Sequence, residues 1–197
     1  MLKTGVTLYF VRHGETDWNK AQRYQGQHDI PLNATGRAQA RRNGVRLAGL
    51  LGASAARLDY AASPLKRASE TMRILRAEMG LAATNFATDD RLREINYGSW
   101  EGQAWNEIAA FDREGYAARA ADPWNWQPSG GESYRMLAER VGAWLAEVVS
   151  DTVVVAHGGV SRAMRVLILG LSSEEMMRLE VPQDLVLVIE GSSVRWL

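Results

Sequence analysis

Three segments of this 197-residue chain carry residue types suited to reacting with an anion: Arg12-His13-Gly14-Glu15-Thr16, Ser63-Pro64-Leu65-Lys66-Arg67 and His157-Gly158-Gly159. An imidazole can attack or shuttle a proton, and a guanidinium fork matches two oxygens of one oxyanion. Glycine-flanked backbone N–H groups at a helix start add partial positive charge. Each residue also has a plainer use. A single His after a strand is more often a packing or hydrogen-bonding group than a catalyst. Arg67 in the first turn of a helix could be a solvated charge, but there it opposes the helix dipole, and a nearby anion would explain its place. His28, within Gln25-Gly26-Gln27-His28-Asp29, follows no strand and reads as a loop histidine.

These segments matter because of what precedes them. Val6–Val11, Asp59–Ala62 and Thr152–Ala156 are short apolar, β-branched or aromatic runs that read as strands, each ending where a polar segment begins. Leu185–Glu190 and Val194–Leu197, separated by Gly191-Ser192-Ser193, read as a final antiparallel hairpin. Helical periodicity lies between the strands. It covers 36–51 with Asn33 or Thr35 as N-cap, 64–79 with Ser63 as cap and Pro64 first, 133–149, and 159–169 ending at Gly170. Strands alternating with helices predict an α/β three-layer sandwich, with a mostly parallel central sheet, helices on both faces and an antiparallel C-terminal strand. In such a sheet, ligands bind beyond the carboxyl ends of the strands, where the three segments should converge. The whole chain, 1–197, reads as a single domain. Residues 98–131 are an excursion without a clear strand, and their tryptophans are expected to serve core and lid packing.

Composition narrows the class. With 23 Lys+Arg against 23 Asp+Glu, the net charge of zero argues against a general nucleic-acid binder. No apolar run approaches the ~20 residues of a membrane span, and no signal pattern opens the chain, so a cytoplasmic protein is expected. The absence of Cys excludes a thiol nucleophile, a thiolate metal site and disulfides, and 3 dispersed His make a poor zinc set. No metal and no cofactor are expected. GxxxxGK[ST], GxGxxG after the first strand, HExxH and GxSxG are all missing.

Five ordered segments together resemble one family. Leu8–Thr16 with Trp18-Asn19, Tyr24-Gln25-Gly26 with Pro31-Leu32 and Gly36, Ser63–Thr71, Leu92–Gly102, and Gly130–Ser133 with Val155–Gly159 resemble, over about residues 6–170, the histidine phosphatase superfamily of phosphoglycerate-mutase-like proteins. Gly after His157, where the acid-phosphatase branch has Asp, resembles the mutase and small-phosphatase branch. The resemblance implies His13 as nucleophile and Glu94 as proton donor and acceptor. It further implies Arg12, Arg67 and His157 as phosphoryl ligands, assisted by Asn19, Gln25, Gly26 and the Gly158 backbone.

The implied substrate is a small phosphorylated metabolite, and a homodimer is allowed. The physics agrees with these roles, because phosphoryl transfer is mostly positioning plus electrostatic stabilisation of charge on the equatorial oxygens. A nucleophilic His must be neutral, and adjacent guanidiniums favour that. The mutase pattern places a substrate Lys eight residues after Tyr97, where this chain has Trp105, and only isolated Arg113 and Arg119 stand in for its paired Arg. Hydrolysis is therefore expected over mutase activity. A non-catalytic phospho-ligand binding module would have no need of Glu94.

Overall fold

A computed structural model describes residues 2–197. In chain order the elements are β1 (Thr7–Arg12), α1 (Asp17–Lys20), α2 (Ala34–Leu51), β2 (Asp59–Ala62), α3 (Lys66–Glu78), β3 (Ala87–Thr88), α4 (Ile108–Phe111), α5 (Arg113–Ala121), α6 (Tyr134–Glu147), β4 (Thr152–Ala156), α7 (Gly158–Leu169), α8 (Ser173–Arg178), β5 (Val186–Glu190) and β6 (Ser193–Trp196). The strands form one sheet in the order β3-β2-β4-β1-β5-β6. β1, β4, β2 and β3 run parallel, β5 is antiparallel to β1, and β6 is antiparallel to β5.

Alternation along the strands sorts side chains into two cores. Leu8, Phe10, Val154, Ala156, Leu187 and Ile189 face α6 and α7, packing on Leu137, Val141, Leu145, Val160 and Met164. Val11, Val153, Val155 and Val186 face the other way, onto Leu47, Ala68, Met72 and Leu75 of α2 and α3. Every residue of β4 is buried, as expected of a parallel strand covered on both faces. Truncating Leu47 or Leu137, each 0% exposed, to Ala should cost about 2–5 kcal/mol.

The α/β layering, the parallel centre and the terminal hairpin match the sequence reading. Asn33 caps α2 by accepting from Gly36 N, and Ser133 caps α6 by accepting from Met136 N. One start differs. Ser63 and Pro64 lie outside α3, which begins at Lys66 after an extended Leu65 at φ −61°, ψ 137°. The Ser63 hydroxyl instead meets His157 Nε2. The excursion of 98–131 contains helices α4 and α5, joined to the rest by an isolated Arg23–Ala104 bridge. Trp100 is fully buried against Trp126, ring centroids 4.3 Å apart, whereas Trp105 stays 48% exposed. Among the described residues no helix is long and apolar enough to cross a membrane.

Candidate active site

The strand order explains the convergence. β1, β4 and β2 are neighbours, so the residues that follow them emerge side by side at one edge of the sheet. Backbone pairing continues one residue past the strands: His13 N donates to Ala156 O and Ser63 N to Val155 O, both at 3.0 Å. His13 and His157 therefore meet, with ring centroids 5.1 Å apart.

His13 is 2% exposed, and its Nδ1 lies 2.8 Å from Gly14 O. A carbonyl can only accept, so Nδ1 carries the proton and Nε2 keeps its lone pair. The bend that brings this carbonyl round needs two glycines. A Cβ on Gly14 would strike the backbone of Gly36, and one on Gly36 would strike that of Glu15. Thr71 Oγ1 accepts from Gly14 N at 3.1 Å, tying the turn to α3. Burial, then the Arg67 and Arg12 guanidiniums, hold the His13 imidazole well below its usual pKa. Burial, then Arg67 and His13, do the same for His157. Both rings are neutral at physiological pH.

The cations are placed without carboxylate partners. Arg67, 0% exposed, spends Nη1 on His28 O (2.6 Å) and Nη2 on Gly26 O (2.7 Å). Burial pushes its pKa down to about 10, so it remains charged near neutrality. Arg12 Nη1 donates to Val181 O at 2.7 Å. His157 Nε2 is 2.7 Å from Ser63 Oγ, which leaves Nδ1 as the free ring nitrogen. Arg12 Nε, Arg67 Nε, Arg162 Nε and His157 Nδ1 are all buried with no protein partner among the described residues. Orphaned buried polar groups are costly, and these four, three of them on residues that line one cavity, suit that region to an anion. Asn19 adds a further donor. Its Oδ1 accepts from Thr16 N and Gln183 Nε2, both at 3.1 Å, which fixes the amide with Nδ2 free.

Glu94 stands opposite these donors. Its Oε1 accepts from Ile95 N and Gly159 N, both at 3.0 Å. A Cβ on Gly159 would lie 2.5 Å from that oxygen, so only glycine admits the carboxylate to the first turn of α7. The segment bearing Glu94 is held by Arg140 of α6, which donates to the carbonyls of Arg91 (2.7 Å), Arg93 (2.7 Å) and Glu94 (3.0 Å). Glu132 completes the clamp with Arg140 Nε (2.9 Å) and Asn96 N (2.9 Å).

A cavity of about 110 Å³ opens among these groups. Of the sequence-derived residues, Arg12, His13, Asn19, Gln25, Gly26, Arg67, Glu94 and Gly158 line it directly. His157 stands fully buried beside His13. The cavity also takes in Gly159 and Trp105, which the sequence places at the strand-end segment and at the substrate-Lys position, and Arg23, Tyr24, Tyr97 and Arg162, to which the sequence reading gives no site role. Of these four, Arg162 carries a sequence signal, since it lies on the face of α7 that carries Gly158, four residues on. His28 serves through its carbonyl, while its ring sits half-exposed beside Glu101 at 3.3 Å. No cluster of metal-ligating side chains occurs among the described residues.

Comparison with known proteins places this geometry. The "Metal-independent phosphoserine phosphatase" of Arabidopsis thaliana is 35% identical over 176 residues, 84% of this chain and 70% of its own length. A protein of Salmonella paratyphi C named "Probable phosphoglycerate mutase" is 33% identical over 98% of this chain and 88% of its own. The structure of mycobacterial glucosyl-3-phosphoglycerate phosphatase with VO3 superposes with a TM-score of 0.80 at 29% identity, covering 98% of this chain and 97% of that one. The family description "Histidine phosphatase superfamily (branch 1)" matches residues 8–197. A sheet edge that gathers two neutral histidines and unpaired guanidiniums, on a fold shared with named phosphatases, leaves one assignment: the chain belongs to the histidine phosphatase superfamily and is an enzyme of the phosphatase class.

Proposed function

We propose that the chain hydrolyses small phosphomonoesters without a metal, through a phosphohistidine on His13. The observation that carries this reading is the 2.8 Å contact of His13 Nδ1 with the Gly14 carbonyl, which assigns the ring proton to Nδ1. With Nδ1 bound to the Gly14 carbonyl, the lone pair of Nε2 is left for a substrate in the cavity that His13 lines together with Arg12, Arg67 and Arg162. Arg12, Arg67, His157, Asn19 and the Gly158 N–H hold the phosphoryl oxygens, and Gln25 and Gly26 shape the wall by supporting Thr16 and Arg67.

Nε2 of His13 attacks phosphorus, the P–O bond to the ester oxygen breaks, and that oxygen takes a proton from Glu94. Glu94 then removes a proton from water, whose oxygen attacks the phosphohistidine. Inorganic phosphate leaves and His13 is neutral again. Two guanidiniums offset the dianion and stabilise the loose transition state, which gives the reaction its charge complement without a metal. The Arabidopsis thaliana relative, a metal-independent phosphatase by name, supports the same reading.

Phosphatase is favoured over mutase by the excursion. Trp105 stands at the cavity, and Arg119 turns to Tyr24 Oη at 3.3 Å and over the Trp100 ring at 5.7 Å. Turnover of p-nitrophenyl phosphate and of a panel of alkyl phosphates, with and without EDTA, tests the proposal. Release of inorganic phosphate by wild type in both conditions, and none above background by His13→Ala, is expected. Activity lost to EDTA and restored by a divalent ion would remove the metal-free mechanism, and no wild-type turnover above the His13→Ala background would leave a binding module.

A further inference from the structure

Ser63 is fully buried just past the end of β2, and its backbone is held on both sides. Its N–H donates to Val155 O and its carbonyl accepts from Ser69 Oγ, both at 3.0 Å. Among the described residues two groups reach its hydroxyl: His157 Nε2 at 2.7 Å and the backbone N–H of Leu65 at 3.4 Å. The Leu65 N–H can only donate. His157 Nε2 donates or accepts according to which ring nitrogen carries the proton. The other ring nitrogen, Nδ1, is buried without a protein partner.

The two tautomers leave different remainders. With the proton on Nε2, Ser63 Oγ would receive two N–H groups, and its own buried proton would have no acceptor. Nδ1 would then present a lone pair, which repels an anion. With the proton on Nδ1, the Ser63 hydroxyl donates to Nε2 and accepts from Leu65 N, so its capacity is spent. One group is then left over: the Nδ1–H of His157, on a fully buried ring whose centroid lies 5.1 Å from that of His13.

We propose that Ser63 is a positioning residue for His157: its hydroxyl donates to Nε2 and keeps the ring proton on Nδ1, so that a neutral imidazole donates to the phosphoryl group. This rests on the reading above in one respect, that His157 holds a phosphoryl oxygen. An imidazolium would donate from Nδ1 without help, but this site disfavours one. Burial opposes it most, followed by Arg67 of α3, His13 at the end of β1, Arg140 of α6 and Arg12 of β1. Glu94 meets the first turn of α7 at Gly159 N. Ser63 thus supplies through the tautomer a donor that does not depend on protonating the ring.

Two measurements test it. Protein labelled with ¹⁵N in its 3 histidines reports by NMR which ring nitrogens are protonated, with His13→Gln and His28→Gln to assign the signals. At about pH 7.5 wild-type His157 is expected to carry a proton on Nδ1 and none on Nε2. A proton on Nε2, alone or with one on Nδ1, would overturn the proposal. The second measurement is the Kd of inorganic phosphate by calorimetry across about pH 5–8. Ser63→Ala should weaken binding by about three- to tenfold at about pH 8, the scale of one hydrogen bond. The ratio to wild type should narrow as pH falls, since an imidazolium donates from Nδ1 with or without Ser63. Ser63→Thr, which keeps the hydroxyl, should stay within about twofold of wild type throughout. A loss in Ser63→Ala that is equal at every pH would mark a packing role and overturn the proposal, as would no loss at all. Neither readout needs turnover, so an enzyme inactive on p-nitrophenyl phosphate would strike the hydrolase reading while the tautomer still decides the role of Ser63.

Discussion

The two ends of the same parallel strands hold cavities of opposite character. At the amino ends of β2 and β4 lies a groove of about 610 Å³, lined by Tyr60, Arg76, Phe86, Arg91, Trp144 and Val148 among others. At the carboxyl ends lies the site of about 110 Å³. In the larger groove the polar groups answer one another. Arg91 pairs with Asp89 and Glu147, both at 2.7 Å, Tyr60 Oη donates to Ala55 O at 2.9 Å, and Arg76 Nε donates to Ala82 O while lying 4.0 Å over the Tyr60 ring. None of the orphaned buried side-chain atoms lines it. Volume is therefore a poor guide to chemistry here. Unspent hydrogen-bonding capacity, gathered where strand ends and a helix N-terminus meet, distinguishes the working end.

The sharpest break of this contrast is at His13. Replacing it by Ala should lower kcat by about 10⁴-fold or more, since the proposed nucleophile is the one imidazole among the residues that line the cavity. Glu94→Gln should follow. It is expected to cost about 10²–10⁴-fold on alkyl phosphates, whose leaving oxygen needs a proton, but under about tenfold on p-nitrophenyl phosphate. Equal losses on both would unseat Glu94 as the acid.

Arg140→Met should come next, at about 10²-fold in kcat through displacement of Glu94. It should also cost about 3–5 kcal/mol of stability, because Glu132 is left without its partner. Arg76→Ala, at the other end, should destabilise by about 1–2 kcal/mol and leave kcat within about twofold. A large activity loss there, measured in fully folded protein, would erase the distinction between the two cavities.

The contrast also extends to pH. His13 and His157 have native pKa values depressed below the unfolded value of about 6.5, so the unfolded chain binds protons that the native one does not. Their contribution to stability is complete above about pH 6.5 and is lost as pH falls below it. Each ring contributes a slope of at most about 1.4 kcal/mol per pH unit. The midpoint of urea unfolding should fall between pH 7 and pH 5, and fall less steeply in His157→Gln. Inorganic phosphate should flatten the dependence, because a bound dianion favours imidazolium. An unchanged slope in His157→Gln would show that its ring is not the group being protonated.

Much of this was legible in the sequence, for local reasons. Continuous apolar runs such as Thr152–Ala156 announce a buried strand, and a polar residue immediately after such a run sits at the end of the sheet. That logic alone reaches Arg12, His13, Ser63 and His157. Glu94, Asn19, Gln25 and Gly26 follow no strand in that sense and were reached through family resemblance. What escaped depends on where side chains from distant elements point. Arg140 supports Glu94 from 46 positions away in the chain, and Gln183 reaches Asn19 across 164. Neither leaves a periodic or spacing signal. Ser63 has the composition of a helix cap, yet its hydroxyl turns to a histidine on the neighbouring strand end. β3, with 2 residues, is too short for any pattern to declare it.

Mixing the enzyme with a ³²P-labelled phosphomonoester, quenching within milliseconds and mapping the label tests the central claim most directly. An acid-labile, alkali-stable phosphoryl group on residue 13, formed and consumed at rates that account for steady-state hydrolysis, is the outcome expected. Steady release of inorganic phosphate with no label on His13 at any time would contradict it.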